Sequence, residues 1–404
     1  MRDITDNMTD KAIVNTTKKW YSANQRYLRC GYTTGTCAAA AAKAAAWLLL
    51  TGQKPEQVTI KTPKGPEIVI DVAEAGRQAG EDGLDAATCA VKKDSGDDPD
   101  ITNGILVYAT VRPEPSGAML IDGGAGVGRV TKPGLDQPVG MAAINSTPRQ
   151  MIAQALREVC EAAGYSGGLS AVISIPAGEA LAARTFNPRL GISGGLSILG
   201  TSGIVEPMSD SALIDTIRVE LRVLAAAGRS SVILTPGNYG ESFLLDRLNG
   251  PEGPEAVFTS TIIKCSNFIG DSIAAAVECG FRRILLAGHI GKLVKLAIGL
   301  MNTHSRYGDG RLETLVTCAL KAGGDLALLR QIADCATTEA ALTLLEEAGL
   351  MAAVALDLKE RIGFYLSRQI PADAEIGFIC FTGAGSFRPV FESGNVAQLL
   401  ENWQ

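Results

Sequence analysis

A chain of 404 residues that is 46% hydrophobic and 20% charged can bury a large core and has the length of two or three domains. Its net charge of −6 and aromatic content of 5% give neither the basic field that holds nucleic acid or an anionic membrane nor a stacking platform for single strands. Anionic ligands must therefore be met by local Arg and Lys. The nine cysteines are scattered with no C-x-x-C pair, and the two histidines, His289 and His304, stand far apart, so reduced thiols and no protein-bound metal are expected. The opening thirty residues are polar with no secretory signal, and the apolar run Ala38 to Leu50 is too short for a bilayer and carries Lys43. The expectation is a cytoplasmic protein with no membrane partner.

Residues 1–25 lack apolar periodicity and are expected to form a loosely ordered arm. Residues 26–147 read as an α+β domain. Thr33, Thr34 and Thr36 surround Gly35 ahead of the alanine-rich helix Ala38 to Leu50. Such a helix start can cradle a carboxylate, or serve only as cap and turn. Gln57–Lys61 and Glu67–Val72 alternate as a β-hairpin, and Asp94 to Asp100 reads as a solvated acidic loop whose order does not suit calcium. Ile105 to Val111 and Ala118 to Asp122 are further strands. The glycines of 123–128 follow a strand, yet Arg129-Val-Thr-Lys-Pro-Gly134 cannot continue as the helix a dinucleotide fingerprint needs. A hairpin tip, or a loop laid against a flat ligand beside Arg129 and Lys132, fits better.

From residue 148 to 404 strands alternate with helices of ten or more residues, which predicts an α/β, Rossmann-like domain with a largely parallel sheet and a helical insertion at about 310–368. At its centre Leu196–Leu199, the glycine turn Gly200–Gly203 and a helix with the stripe Leu213, Ile217, Leu221, Leu224 read as strand, turn, helix. That turn could receive a polar ligand or merely connect two elements tightly. In a parallel sheet every strand-to-helix turn falls on one edge. The segments 200–207, 236–240, 264–270, 287–292 and 382–386 are thus expected to share a rim carrying Thr201, Glu206, Asn238, Tyr239, Lys264, His289, Lys292 and Ser386.

Blocks spread over residues 28–305 resemble the cobalt-precorrin-5B C-1 methyltransferase family of corrin synthesis. They are Gly31-Tyr-Thr-Thr-Gly-Thr-Cys37, Gly126-Val-Gly-Arg-Val-Thr-Lys-Pro-Gly134, Thr185-Phe-Asn-Pro-Arg-Leu-Gly191, Leu199-Gly-Thr-Ser-Gly-Ile-Val-Glu-Pro-Met-Ser209, Gly237-Asn-Tyr-Gly240, Lys264-Cys-Ser-Asn267 and Gly288-His-Ile-Gly-Lys-Leu-Val-Lys295. The resemblance implies S-adenosylmethionine as methyl donor, a small-molecule tetrapyrrole substrate bringing its own cobalt, and a reaction that needs alignment and exclusion of water more than a nucleophile. On that basis Gly200, Thr201, Gly203, Glu206, Asn238 and Tyr239 are candidates for the donor pocket. Thr33, Thr34, Arg29, Lys132, Arg184, Arg189, Lys264 and Lys292 are candidates for the substrate's carboxylates. His289 is a candidate for a proton step, for cobalt ligation, or simply for capping its turn. The resemblance leaves room for a homo-oligomer and for transient hand-over from other corrin-pathway enzymes. Two other readings are a nucleotide-dependent phosphotransferase, which lacks its G-x-x-x-x-G-K-[ST] loop at the central turn, and a non-catalytic tetrapyrrole carrier.

Overall fold

The structure, a computed structural model, describes residues 20–23, 26–79, 85–248, 261–401 and 403. The chain divides into two compact units, Met1–Ser209 and Asp210–Gln404. The division follows residue 209 and not residue 147, because the helix and strand after 147 complete the first unit. Of the expected arm, residues 1–19, 24 and 25 lie outside the described residues, and Trp20–Ala23 pairs antiparallel with Arg26–Arg29.

In the first unit Thr33 Oγ1 accepts the N–H of Thr36 and opens α1 (Thr34–Thr51), which Gly52 ends at φ +74°. Its alanines from Ala38 to Ala46 are fully buried. Methyl-sized side chains let the helix lie close against both a sheet and α2 (Ser146–Ala163). The sheet runs β1 (Gln57–Lys61), β2 (Glu67–Gln78), β3 (Ala86–Lys92), β4 (Leu106–Glu114), β6 (Gly168–Ser174), β5 (Met119–Gly123). Neighbours are antiparallel except β6 and β5, which are parallel. Since β6 lies between β4 and β5, no boundary can fall at 147.

Two loops differ from their sequence reading. A Cβ on Gly126 (φ +72°) would stand 1.8 Å from the Ile175 carbonyl oxygen, and one on Gly178 or Gly195 would stand 2.0 or 2.2 Å from that of Gly126. Gly126 therefore serves close backbone-to-backbone packing. Arg129 forks onto Asp122 at 3.0 and 3.1 Å. The acidic loop is more than solvated: Asp94 takes both terminal nitrogens of Arg29 at 2.5 and 2.8 Å, and Asp100 holds the buried ammonium of Lys93 at 2.5 Å.

The second unit opens with α3 (Asp210–Ala226), whose buried side chains include Ile217 and Leu221, whereas Leu213 of the expected stripe is exposed. There follow β7 (Ser231–Thr235), α4 (Tyr239–Leu248), β8 (Ile262–Lys264), α5 (Ile269–Glu278), β9 (Arg283–His289) and α6 (Ile290–Leu296). Four helices then follow, α7 (Arg311–Lys321), α8 (Leu326–Ala333), α9 (Thr338–Glu347) and α10 (Met351–Ser367). The chain closes with β10 (Glu375–Thr382), β11 (Arg388–Glu392) and α11 (Val396–Glu401).

The sheet order is β8-β7-β9-β10-β11, with four parallel strands and β11 antiparallel on β10. Val232, Leu234, Ile284 and Leu286 pack with Leu221, Ile273 and Phe281, while Ile233, Leu285 and Ile379 pack with Phe243, Leu244 and Phe381. Both faces are covered, which is why these strands read as unbroken apolar runs. Both sheets are mixed, and the protein is a mixed α/β chain.

Candidate active site

In the second unit the chain leaves β7 to build β8 on one side and then β9 on the other, so the strand order reverses between β7 and β9. At such a reversal the loops beyond the carboxyl ends diverge and leave a crevice. Gly237 (φ +83°) turns the chain out of β7, and Gly240 lets α4 start against β9, where a Cβ would stand 2.9 Å from the Ala287 carbonyl oxygen. After β8 comes Cys265-Ser266-Asn267, with Ser266 at φ +52°, a left-handed conformation costing a non-glycine residue about 1–2 kcal/mol. That conformation brings the Ser266 carbonyl to Lys292, whose Nζ donates to it at 3.0 Å and to Asn267 Oδ1 at 2.8 Å. Thr303 closes the turn from outside, its Oγ1 donating to Asn267 Oδ1 and its N–H to the Asn267 carbonyl, both at 3.0 Å.

His289 ends β9 and caps α6: its Nδ1 accepts the N–H of Gly291 at 3.3 Å. A nitrogen that accepts carries no proton, so the ring proton sits on Nε2, which donates to Glu339 Oε1 at 3.1 Å. Burial pulls the His289 pKa below its ordinary value, and the Glu339 charge pulls it up. Burial also lowers the Lys292 pKa. Tyr239, half exposed, stands with its ring centroid 6.2 Å from His289 and 6.4 Å from Phe387, and Phe381 meets the imidazole edge-on at 5.7 Å. Lys264 pairs with Glu241 at 2.5 Å. The rim thus has an aromatic wall and a half-buried cation, and no metal-ligand cluster is found among the described residues.

Two family models match the chain: CbiD over residues 21–207, and the CbiD C-terminal domain over residues 302–388. A cobalt-precorrin-5B C(1)-methyltransferase of Ruminiclostridium cellulolyticum is 46% identical over 361 residues, 89% of this chain and 90% of that one. Relatives of the same name from Thermoanaerobacter (45% identity; 80% of this chain, 84% of that one) and Edwardsiella ictaluri (41% identity; 95% and 98%) agree. The chain belongs to the cobalt-precorrin-5B C(1)-methyltransferase family. A crystal structure of the cobalamin biosynthesis protein CbiD from Archaeoglobus fulgidus aligns with 76% of this chain and 88% of that one at 26% identity, with a TM-score of 0.37. The first CbiD match ends two residues before the division between the units, and the second spans α7 to α10 and β10. No helix among the described residues is long and apolar enough to cross a membrane.

Of the residues expected on one rim of this methyltransferase-family chain, Asn238, Tyr239, Lys264, His289 and Lys292 stand at the carboxyl edge of the second unit's sheet, on strand ends, a turn and the first turns of helices. Gly200, Thr201, Gly203 and Glu206 lie on a turn of the first unit, which feeds no strand of that sheet. Instead Ile204–Val205 pairs antiparallel with Gly31–Tyr32. Gly203 O accepts from Thr33 N (3.2 Å) and Thr36 Oγ1 (2.7 Å), Leu199 O accepts from Gly35 N (3.0 Å), and Leu199 N donates to Thr34 Oγ1 (3.0 Å). The threonines read as a carboxylate cradle are therefore bonded to the backbone of Leu199 and Gly203. Glu206 is ion-paired with Lys64.

The cations divide likewise. Arg29 is held by Asp94, Lys132 Nζ reaches the Arg189 carbonyl at 3.4 Å, and Arg184 and Arg189 are exposed, all in the first unit. His289 has both nitrogens engaged, Nδ1 by the α6 start and Nε2–H by Glu339, which makes it a cap of its turn and a wall of the rim. Asn267, Thr303 and Glu339 carry no role in the sequence reading. Asn267 stands inside the Lys264-Cys-Ser-Asn267 block and was within reach of it, but nothing local in α9 points Glu339 at His289.

Proposed function

We propose that this chain transfers the methyl group of S-adenosylmethionine to C-1 of cobalt-precorrin-5B, and that the donor lies on the carboxyl edge of the second unit's sheet. The family carries the activity. The convergence of the loops after β7, β8 and β9 around Lys292, beside an exposed Tyr239, supports the donor's place. We read the four parallel strands as a Rossmann-like frame, in which ligands meet the sheet at the reversal of strand order. The 199–207 turn is set aside as a donor pocket because Leu199 and Gly203 bond the start of α1 and the turn feeds no strand of the second unit's sheet.

The donor methyl is already activated by its sulfonium. The C-1–CH3 bond forms as the S–CH3 bond breaks, the electron pair stays on sulfur, and the positive charge passes to the macrocycle. Alignment of carbon, methyl and sulfur in a dry site is the main requirement. That fits a rim whose lone histidine is committed to capping. Tyr239 and Phe387 offer apolar surface for the donor's adenine, and Asn238 offers a polar edge.

The test is turnover of cobalt-precorrin-5B with donor carrying a 13C-methyl group. The reading expects one new labelled methyl on a quaternary ring carbon, assigned to C-1. Label at another ring position, or no transfer by folded protein, would overturn it.

A further inference from the structure

Asn267 and Lys292 form a combination that the fold alone leaves incomplete. Lys292 can only donate, so the atom it meets at 2.8 Å must be the amide oxygen of Asn267. Thr303 Oγ1 donates to the same oxygen at 3.0 Å. Two donors on one oxygen fix the amide's orientation and turn its NH2 the other way, where it has no acceptor among the described residues. The ammonium is half-buried and has no carboxylate within ion-pairing distance among those residues. Glu241 is taken by Lys264 and Glu339 by His289. A half-buried cation without a counter-charge is costly to keep, and the depressed Lys292 pKa is the expected sign of that cost. Gly237 keeps the space beside it open, since a Cβ there would come within 3.2 Å of Nζ. The turn is held by Lys292 on the Ser266 carbonyl and by Thr303 on the Asn267 carbonyl and Oδ1, none of which uses the Asn267 NH2.

We propose that the Asn267 amide NH2 and the Lys292 ammonium form a two-donor seat for a ligand carboxylate. Under the functional reading above, on which this rests for the ligand's identity, that carboxylate belongs either to the methionyl end of the donor or to a side arm of the macrocycle. Asn267→Asp separates the seat from the scaffold. The aspartate still accepts from Lys292 and Thr303, so the turn keeps its bonds, but a carboxylate oxygen replaces the outward NH2 and repels an anion.

Isothermal titration of the full chain and of Asn267→Asp uses three probes: S-adenosylhomocysteine, 5′-methylthioadenosine, which lacks the amino-acid end, and uroporphyrin, a macrocyclic octacarboxylate. Melting curves monitor the fold. Loss of about tenfold or more in S-adenosylhomocysteine affinity, with methylthioadenosine unchanged, assigns the seat to the donor. Loss confined to uroporphyrin assigns it to the macrocycle. Unchanged affinity for both carboxylate probes overturns the seat. Should Asn267→Asp melt early, Lys292→Met, which keeps the buried stem and removes the charge, decides by the same readings. If the wild-type chain binds no S-adenosylhomocysteine the donor reading fails, and the uroporphyrin arm still decides the seat.

Discussion

Thr36→Val puts the reassignment of the glycine turn at risk in a single experiment. Thr36 is fully buried, and its hydroxyl donates to Gly203 O at 2.7 Å and lies 3.2 Å from Thr33 Oγ1. Valine keeps the shape and removes both bonds. A lost net hydrogen bond is worth about 1 kcal/mol, and a buried acceptor left bare adds to that. Gly203 O keeps its bond from Thr33 N at 3.2 Å, so it is not fully orphaned, and the expected loss is about 1–2 kcal/mol. For a unit of this size that is a fall of roughly 2–8 °C in melting temperature. Scanning calorimetry gives the melting point, and titration with S-adenosylhomocysteine gives donor affinity, which is expected to be unchanged. A variant that melts like the parent would show that the Thr36 bond does not anchor the turn, and one that loses donor affinity without losing stability would show that the turn is a ligand site.

Gly126→Ala places a Cβ 1.8 Å from the Ile175 carbonyl oxygen at φ +72°, and should destabilise the first unit by at least about 3 kcal/mol, measurable as a fall in urea midpoint. His289 has a depressed folded pKa, so the unfolded chain binds its proton more readily. The stability it contributes is present above about pH 6.5, the unfolded value, and is lost as pH falls through the lower folded value. His289→Asn keeps a capping acceptor without the titration, so urea melts of parent and variant should diverge between pH 7.5 and 5; parallel curves would contradict the buried neutral ring. Glu339→Gln removes the charge that pulls the imidazole pKa upward, and NMR titration should find it lower still. A rise would mean that Glu339 does not face the ring in solution.

Local pattern carried much of this fold. The unbroken apolar runs at Ser231–Thr235 and Arg283–His289, each followed by a glycine-bearing turn and a helix, could only be strands covered on both faces. The rim holding Asn238, Tyr239, His289 and Lys292 followed from that. The pairing of the central turn was not legible for a physical reason: strand, glycine turn and helix look alike whether the turn feeds a parallel sheet or folds back on a distant helix. Its partners, Thr33, Thr34 and Thr36, lie more than 160 residues away in sequence. The boundary was misplaced similarly, since the start of α2 and β6 resembles the start of an α/β alternation, yet β6 pairs antiparallel with β4. The roles of Asn267 and Glu339 depend on which side chains meet across loops, which spacing does not encode.

The proposed donor site is the carboxyl edge of the second unit's sheet. Hydrogen–deuterium exchange of the full chain with and without S-adenosylhomocysteine addresses it directly. Slower exchange in 236–240, 264–268 and 289–293 with no change in 199–207 is the predicted result. Protection concentrated in 199–207, with those three segments unaltered, would contradict it.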